Sequence, residues 1–503
     1  MEFPVLTLLG LLPIIGAVVL CLPLKGAARP VGMAFAVATL LVGVWVTVLF
    51  VGGADLSQSA PWIKPIGATW SLGLDGMGLS MIMMTAVLTP VVLLAEWRTG
   101  EAARGRWTPQ AFFALVLFLE GLSIFVFAAT DVLLFYLFFE ATLIPMYFLI
   151  GGYGGPKRAA AALKFLLYSL FGGLIMLAAV VGVWVVSGES GNPTFVLADL
   201  SKLVIDGPVG QWLFIGFMVA FAVKAPMVPV HTWLPDATEQ ATPGTSILLV
   251  GVLDKIGTFG MIRFCIGLFP EASAWATPVM VVLALISIIY GALAAIGAKD
   301  ILRLIAYTSI SHFGFMVLGI FAFTTQSLSG AMFYMLNHGF STAALFLAAG
   351  FMISRRGSRL VADFGGVQKV APVLAGVFLV SGLSGLALPG MSSFVSEFMV
   401  LAGTWSRAPW VAGVAALGMV LSAVYILSLY QKTMTGPPTE AASTHFTRDL
   451  TAVERFVMVP VIGVLLVFGF FPQPIVHLVE PVATASMQAA EQSDPAPQVE
   501  GVK

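Results

Sequence analysis

Apolar residues run through this chain in long segments of about 20 residues, and short stretches between them hold most of the charged residues. An α-helix of about 20 apolar residues spans the hydrocarbon core of a bilayer, so each segment predicts one transmembrane helix. The predicted helices lie near residues 4–23, 30–52, 77–96, 109–129, 131–151, 163–187, 211–229, 244–268, 276–297, 304–323, 328–353, 371–403 (broken), 411–430 and 454–471. The pattern predicts an all-α polytopic membrane protein with about 14 spans and no soluble domain.

The composition agrees with this class. The 503 residues are 59% hydrophobic and 10% charged, whereas soluble domains carry about 25% charged residues. The sequence has no basic block suited to nucleic acid, and the net charge of −1 indicates no particular class of partner. Only Cys21 and Cys265 occur, each alone in an apolar run, so no Cys-based iron–sulfur or zinc site can form. The N-terminus lacks a basic n-region and an A-x-A site, which predicts a retained first span.

Lysine and arginine positions predict the orientation, because cytoplasmic loops are enriched in both. With the N-terminus outside, the inner loops hold 16 of the 24 basic residues. The outer segments hold four, which are Lys64, Lys202, Arg407 and Lys503. The bias supports both the helix count and the orientation. The expected location is a bacterial plasma membrane, with the N-terminus on the outer side.

The stretch from Phe214 to Arg263 carries the densest candidate chemistry. Lys224 lies inside an apolar segment, and Pro226 and Pro229 predict a helix break just after it, because proline has no N–H and clashes with the preceding turn. His231 follows the break. The next apolar segment carries Asp254 and Lys255 near its midpoint. An ionisable group at membrane depth costs about 2.5–3.5 kcal/mol, so these residues indicate an ion or proton path.

Plainer interpretations exist for each feature alone. A buried lysine can be the structural partner of a carboxylate, and a proline pair can be a simple kink. Asp254 adjoins Lys255 but lies on a different helix face, so it need not pair with that lysine. The lysine, break, histidine and second lysine together favour transport.

Two carboxylates and two histidines inside other predicted spans are further candidates. Glu140 lies five residues before Pro145 in the fifth span, and Glu120 in the fourth span is either a packing carboxylate or functional. His312 and His338 lie among Ser, Thr, Tyr and Asn residues in the tenth and eleventh spans. Because histidine titrates near neutral pH, a proton relay through both is a reasonable hypothesis.

A second interruption occurs in the twelfth span. The sequence LALPGMSS breaks the segment at Leu388–Gly390, and Glu397 follows. Each half of the chain therefore pairs a broken helix with a buried ionisable residue, which is the sequence pattern of transporters built from inverted repeats.

Three stretches carry a family resemblance: FFEATLIPMYFLIGGYGG, AFAVKAPMVPVHTWLPDA and SISHFGF. They resemble the antiporter-like membrane subunits of respiratory complex I and the Mrp-type cation/proton antiporters. The resemblance covers about residues 131–397, and the K-A-P-x-x-P-x-H-x-W-L-P-D-A run is highly specific.

The resemblance implies a single transmembrane domain of 14 helices with two inverted five-helix repeats and broken helices 7 and 12. The implied division is 1–108 for helices 1–3, 109–268 for the first repeat, 276–430 for the second repeat, 454–471 for helix 14 and 472–503 for a polar C-terminal tail.

The resemblance also implies a buried axis. Glu140 and Lys224 match the carboxylate–lysine pair of the family. Lys255 matches its central lysine, and Glu397 matches its terminal relay group. His231, His312 and His338 become possible relay residues. Glu397, together with the absence of a long lateral C-terminal helix, implies the branch of the family that has Glu where others have Lys. Asp254 departs from the apolar residue common beside the central lysine.

The function implied is that of a proton-translocating, cofactor-free membrane-arm subunit of NADH–quinone oxidoreductase. FMN, iron–sulfur clusters and quinone, either ubiquinone or menaquinone, are then expected in partner subunits, and the expected partners are other membrane-arm subunits, especially the antiporter-like subunits L and N. A Na⁺/H⁺ antiporter subunit, a hydrogenase membrane subunit and a purely structural spacer are the alternatives.

Overall fold

The computed structural model of the chain describes residues 4–101, 107–189, 191 and 193–496. Arg104, Arg106 and Lys503, which entered the orientation argument, lie outside the described residues. Long apolar helices dominate, as the hydrophobic pattern predicts. The helices of the first half are α1 (Val5–Val19), α2 (Ala28–Val51), α3 (Gly76–Ala95), α4 (Pro109–Ala128), α5 (Val132–Ala141), α6 (Leu143–Tyr153), α7 (Arg158–Glu189), α8 (Leu197–Leu200), α9 (Gly207–Lys224) and α10 (Trp233–Gln240).

The eighth predicted span is one continuous but irregular helix. It consists of α11 (Pro243–Ser246), π-helical turns at Ile247–Leu253, α12 (Lys255–Gly260) and further π-helical turns at Met261–Ile266. The remaining helices are α13 (Pro270–Gly297), α14 (Ile301–Phe321), α15 (Thr325–Arg356), α16 (Pro372–Gly385), α17 (Ser392–Arg407), α18 (Pro409–Met434), α19 (Glu440–His445), α20 (Ala452–Phe470) and α21 (Gln473–Ala489).

Helices occupy every predicted span. Within the described residues, 12 helical segments are long and apolar enough to cross a membrane, and α1 and α16 are shorter apolar helices. The polytopic all-α class is therefore confirmed. The number of crossings, the inverted repeats and the division of the chain into 1–108, 109–268, 276–430 and 454–471 stay predictions.

Both predicted interruptions are present. The seventh span breaks between α9 and α10, and the twelfth breaks between α16 and α17. The fifth span, predicted as one helix, is also divided, at Thr142. Pro145 has no N–H to donate to the carbonyl of Ala141, so a regular helix cannot pass through this point.

Two further elements differ from the sequence analysis. A hairpin of β1 (Gln58–Ile63) and β2 (Ala68–Leu72) joins α2 to α3, and Gly67 between the strands has a φ of 72°, a left-handed conformation that suits glycine. The C-terminal segment, predicted as a polar tail, is helical through α21. Its apolar residues Val479, Ala483 and Met487 recur every four positions and are buried on one face, which contacts α15 and α3.

The eighth span forms the centre of the molecule. Every residue in the apolar window of Pro243–Ile266 is buried, and α14 and α15 are nearly as enclosed. By contrast, only 22% of the residues in the apolar windows of α2 and α20 are buried, as expected for helices that face lipid. The central span contacts α9 on one side and α15 on the other, and α15 contacts α14 and α17. This order brings the ionisable residues of both halves into one row.

Candidate functional site

The row begins at the break after Lys224. Helix α9 ends at this residue, and α10 begins only at Trp233. The break leaves backbone groups without helical partners, and side chains from nearby take their place. The Trp233 indole donates a hydrogen bond to the Val223 carbonyl at 3.0 Å, and the Val228 N–H donates to Ser287 Oγ at 3.1 Å. The interruption is thus a stable feature of the fold that leaves Lys224 at the end of a helix.

Aromatic rings surround the Lys224 ammonium. Its Nζ lies 5.0 Å from the centroid of Phe139 and 5.8 Å from that of Phe165, distances at which a cation is attracted to a ring face. The side chain is 1% exposed. Among the described residues, Nζ has no hydrogen-bond partner. The contacts of the ammonium with these two rings are therefore weak ones.

Glu140 is the nearest predicted partner of Lys224. It lies in the last turn of α5, is half-buried, and interacts electrostatically with Lys224. Gly173 of α7 provides the space, because a Cβ there would overlap the Glu140 carboxylate. Oε1 is buried and has no hydrogen-bond partner within the described part of the chain. The two charges thus face each other without a direct bond, and their coupling stays a prediction.

Lys255 is held by two direct contacts. Its Nζ donates to the Val250 carbonyl at 2.9 Å and contacts His338 Nδ1 at 2.7 Å. The π-helical turn explains the first contact, because the Asp254 N–H donates to Leu249 O rather than to Val250 O. The Val250 carbonyl is therefore available to the ammonium. No pattern in the sequence indicated this irregular turn.

The two predicted relay histidines are neighbours. The ring centroids of His338 and His312 lie 5.1 Å apart. His312 Nε2 lies 3.3 Å from the hydroxyl of Tyr425. His312 Nδ1 and His338 Nε2 are buried, and neither has a hydrogen-bond partner in the described structure. A water molecule could bridge buried polar atoms of this kind.

Two tyrosines extend the row to Glu397, and the sequence analysis missed both. The Tyr334 hydroxyl donates to Glu397 Oε2 at 3.2 Å, and its ring lies 5.8 Å from that of His312. Tyr425 reaches His312 from α18. Tyr334 lies four residues before His338 and thus on the same helix face, a spacing that could have identified it. No spacing in the sequence related Tyr425 to the other residues of the row.

Glu397 lies in α17, just beyond the second break, and is 3% exposed. The break contains Ala387 and Gly390 with φ of 56° and 95°. Asn337 of α15 donates to the Ser392 carbonyl at 2.9 Å and to Ser396 Oγ at 3.1 Å. These bonds tie the start of α17 to the helix that carries His338, and so position Glu397 beside Tyr334.

The remaining candidates lie off this row. His231 is in the non-helical segment after the break, where its ring contacts Tyr290 at 4.9 Å, so helical spacing does not relate it to Lys224. Glu120 is buried in α4, and neither of its oxygens has a hydrogen-bond partner among the described residues. Lys164 and Arg263, which lie within predicted spans, form ion pairs with Asp236 and Asp75 at 2.6 and 2.8 Å.

Comparison with known proteins identifies the family. The family described as NADH:quinone oxidoreductase/Mrp antiporter, transmembrane, matches residues 129–423, more than half of the chain. The chain belongs to this family. Within it, the chain is 47% identical to NADH-quinone oxidoreductase subunit M of Mycobacterium tuberculosis (strain CDC 1551 / Oshkosh), over 99% of this chain and 96% of that one. It is 36% identical to subunit M of Rhodobacter capsulatus, over 95% of each chain. The predicted branch with Glu at the terminal position, the M subunits, is therefore confirmed.

Solved structures of the family agree. A chain of respiratory complex I from Thermus thermophilus matches with a TM-score of 0.88 and 33% identity, over 96% of this chain and 99% of that one. A chain of the Mrp complex from Dietzia sp. DQ12-45-1b matches with a TM-score of 0.83 and 22% identity, over 97% of this chain and all of that one. The second likeness shows the shared fold alone.

Proposed function

We propose that this family member translocates protons across the membrane as a non-redox M subunit of NADH–quinone oxidoreductase. The proton path runs through Glu140, Lys224, Lys255, His338, His312 and Glu397. The observation that carries the proposal is the direct contact between Lys255 and His338, because it joins the central lysine to a buried polar row that ends at Glu397.

The first half of the path stores a proton on Lys224. Its ammonium has an opposite charge nearby in Glu140, and no hydrogen bond from the described residues fixes it. The strength of a charge interaction in a low-dielectric interior depends steeply on separation. A shift of α5 relative to α9 would change this separation, weaken the hold on the proton and send it towards Lys255.

The second half passes the proton from group to group. The Lys255 ammonium can donate its proton to His338 Nδ1, with which it is already in contact. His312 lies next, and water would bridge the two rings. The tyrosine hydroxyls of Tyr425 and Tyr334 then complete the connection to Glu397.

The chain supplies no redox group in this scheme. Within the described residues, no three His, Cys, Asp or Glu side chains are grouped so as to hold a metal ion. FMN, iron–sulfur clusters and quinone would reside in partner subunits, and electron transfer there would drive the translocation. The chain works with other complex I subunits, and we propose subunits L and N as its neighbours in a bacterial plasma membrane.

A double-mutant cycle tests the proposal. Glu140→Ala and Lys224→Ala should each strongly reduce protons moved per NADH oxidised in membrane vesicles, while the complex still assembles. If the two residues act as one unit, the double variant should lose about as much as either single variant. Lys202→Ala, at an exposed ion pair with Asp199, is the control and should pump normally.

Fully additive effects in the cycle would contradict a coupled pair, and normal pumping by both single variants would overturn the proposed path. The alternatives of a Na⁺/H⁺ antiporter subunit and a hydrogenase membrane subunit have weaker support, because the curated relatives with high coverage are M subunits and the likeness to the Mrp chain is limited to 22% identity. Sodium-dependent transport by the purified complex would favour the antiporter.

A further inference from the structure

One buried carboxylate near the centre of the molecule lies outside the proposed proton path. Asp254 precedes Lys255, is 0% exposed, and neither of its oxygens has a hydrogen-bond partner among the described residues. A buried carboxylate without partners is strongly destabilising. Such a group calls for an explanation.

Lys255, which directly follows Asp254, forms no hydrogen bond with this carboxylate among the described residues. The Lys255 ammonium is directed to the Val250 carbonyl and to His338 Nδ1. Because adjacent residues of a helix point in directions about 100° apart, the two side chains serve different faces of the eighth span. Lys255 faces α15, where His338 lies.

Asp254 lies on the face of the span that meets α9. Gly257, one turn further along and on the same face, approaches α9 so closely that a Cβ there would lie 2.5 Å from the Ala225 nitrogen and 2.6 Å from the Phe221 carbonyl oxygen. Ala225 directly follows Lys224. Asp254 is accordingly within electrostatic reach of the Lys224 ammonium as well as that of Lys255.

The row of ionisable residues is interrupted between Lys224 and Lys255. Lys224 Nζ has no hydrogen-bond partner in the described structure, and no direct contact connects it to Lys255. Lys255, by contrast, is already joined to the second half of the row. A proton leaving Lys224 needs an acceptor on the near side of the eighth span, and Asp254 lies on the helix face that meets α9.

We propose that Asp254 is a proton-transfer residue that links Lys224 to Lys255. In the first step the Lys224 ammonium gives a proton to the Asp254 carboxylate, through water, which leaves a neutral amine and a carboxylic acid. In the second step the acid gives the proton to the neutral Lys255 amine, which restores the carboxylate and forms the ammonium. The inference rests on the proposed function and adds one residue to its path.

The test compares Asp254→Asn with Asp254→Glu in the complete complex reconstituted in lipid vesicles. Asparagine keeps the shape but cannot carry a proton, so protons moved per NADH should fall as far as in Lys224→Ala. Glutamate keeps the titrating group and should recover most of the loss. Glu120→Gln, which removes another buried carboxylate without described partners from α4, is the matched control and should pump normally.

A second measurement distinguishes transfer from a fixed counter-charge. Infrared difference spectra of the reduced and oxidised complex should contain a protonated-carboxyl band that Asp254→Asn abolishes. If the band is identical in both proteins, Asp254 never carries a proton and the proposal is wrong. Normal pumping by Asp254→Asn, with loss of pumping in Lys224→Ala, would also overturn it while leaving the proposed function intact. Normal pumping by both variants would overturn the proposed function itself.

Discussion

At the scale of single residues, the buried ionisable groups in the first half of the row have few hydrogen bonds, and those in the second half have more. Lys224, Glu140 Oε1 and Asp254 lack hydrogen-bond partners among the described residues, whereas Lys255, His338 and Glu397 have direct contacts. Leaving a buried polar group unpaired costs about 1–3 kcal/mol. Under the proposed function, these unpaired groups are the ones that take up and release protons.

Glu397 provides a prediction at this scale. It follows the second helix break, where freed backbone groups allow water to approach, and it accepts a hydrogen bond from Tyr334. Glu397→Gln keeps the shape and the hydrogen bond but removes the titrating group, so proton transfer through this chain should fall sharply. Glu397→Lys should be milder, because lysine still titrates.

NADH oxidation and proton uptake in membrane vesicles measure both effects. Tyr334→Phe, which removes only the hydroxyl, should cause a smaller loss than Glu397→Gln. If the Gln variant pumps like the wild type while the Lys variant is inactive, Glu397 has no relay role.

At the scale of elements, helix interruptions create the site. Helix α9 stops at Lys224, and α16 stops 12 residues before Glu397. The π-helical turn in the eighth span frees the Val250 carbonyl for Lys255. A regular helix would use these backbone groups internally and would offer them neither to side chains nor to water.

The start of α16 depends on a residue from a distant loop. Asp449 accepts hydrogen bonds from the N–H groups of Val373 and Leu374 at 2.8 and 3.0 Å. Although partial burial acts to raise it, the pKa of Asp449 is held below its usual range by the N–H groups of Val373, Leu450 and Leu374. The ionised carboxylate thus caps the N-terminus of the broken helix.

Asp449→Ala should weaken this cap by about 0.5–2 kcal/mol. Because the folded pKa lies below the unfolded one, the stabilisation is complete above the ordinary aspartate pKa and is lost as the pH falls through the folded value. Hydrogen exchange of the Val373 and Leu374 amides at neutral pH should accelerate by about 2- to 30-fold. Glu440→Ala, at an exposed position in α19, is the control. Unchanged exchange in the Asp449 variant would show that the cap contributes nothing.

At the scale of the whole molecule, the eighth span joins the two halves of the chain. Its π-helical turns contact α15, and α12 contacts α9. An ion cluster adds a second connection, in which Arg303 of α14 contacts Asp236 and Glu239 of α10 at 2.7 and 2.9 Å. Lys164 of α7 contacts the same Asp236 at 2.6 Å. These contacts connect the two halves of the chain directly.

The orientation of the molecule in the membrane is a prediction that labelling can test. Arg98 and Lys202 have highly exposed side chains, 85% and 73%, and lie in segments predicted inside and outside. In a background without Cys21 and Cys265, a membrane-impermeant thiol reagent applied to intact cells should label Lys202→Cys but not Arg98→Cys. Inverted vesicles should give the reverse result. Labelling of Arg98→Cys in intact cells would contradict the predicted orientation and indicate the opposite one.

The sequence by itself determined the class of the protein, both helix breaks and most of the ionisable residues of the row. These features are local, since apolar length predicts spans, proline predicts breaks, and a charged residue inside an apolar segment is conspicuous wherever it lies. The family resemblance then added the order of the residues along the axis.

Only the tertiary structure decided which groups meet. The contact of Lys255 with His338 joins residues 83 positions apart, and the π-helical turn that frees the Val250 carbonyl for Lys255 was indicated by no local pattern. Tyr425 reaches His312 from α18, and Asp254 lies towards α9 because Gly257 allows close packing. Such contacts depend on how helices pack through shape and small residues, whereas spans and breaks depend on hydrophobicity and backbone chemistry, which each short stretch of sequence carries within itself.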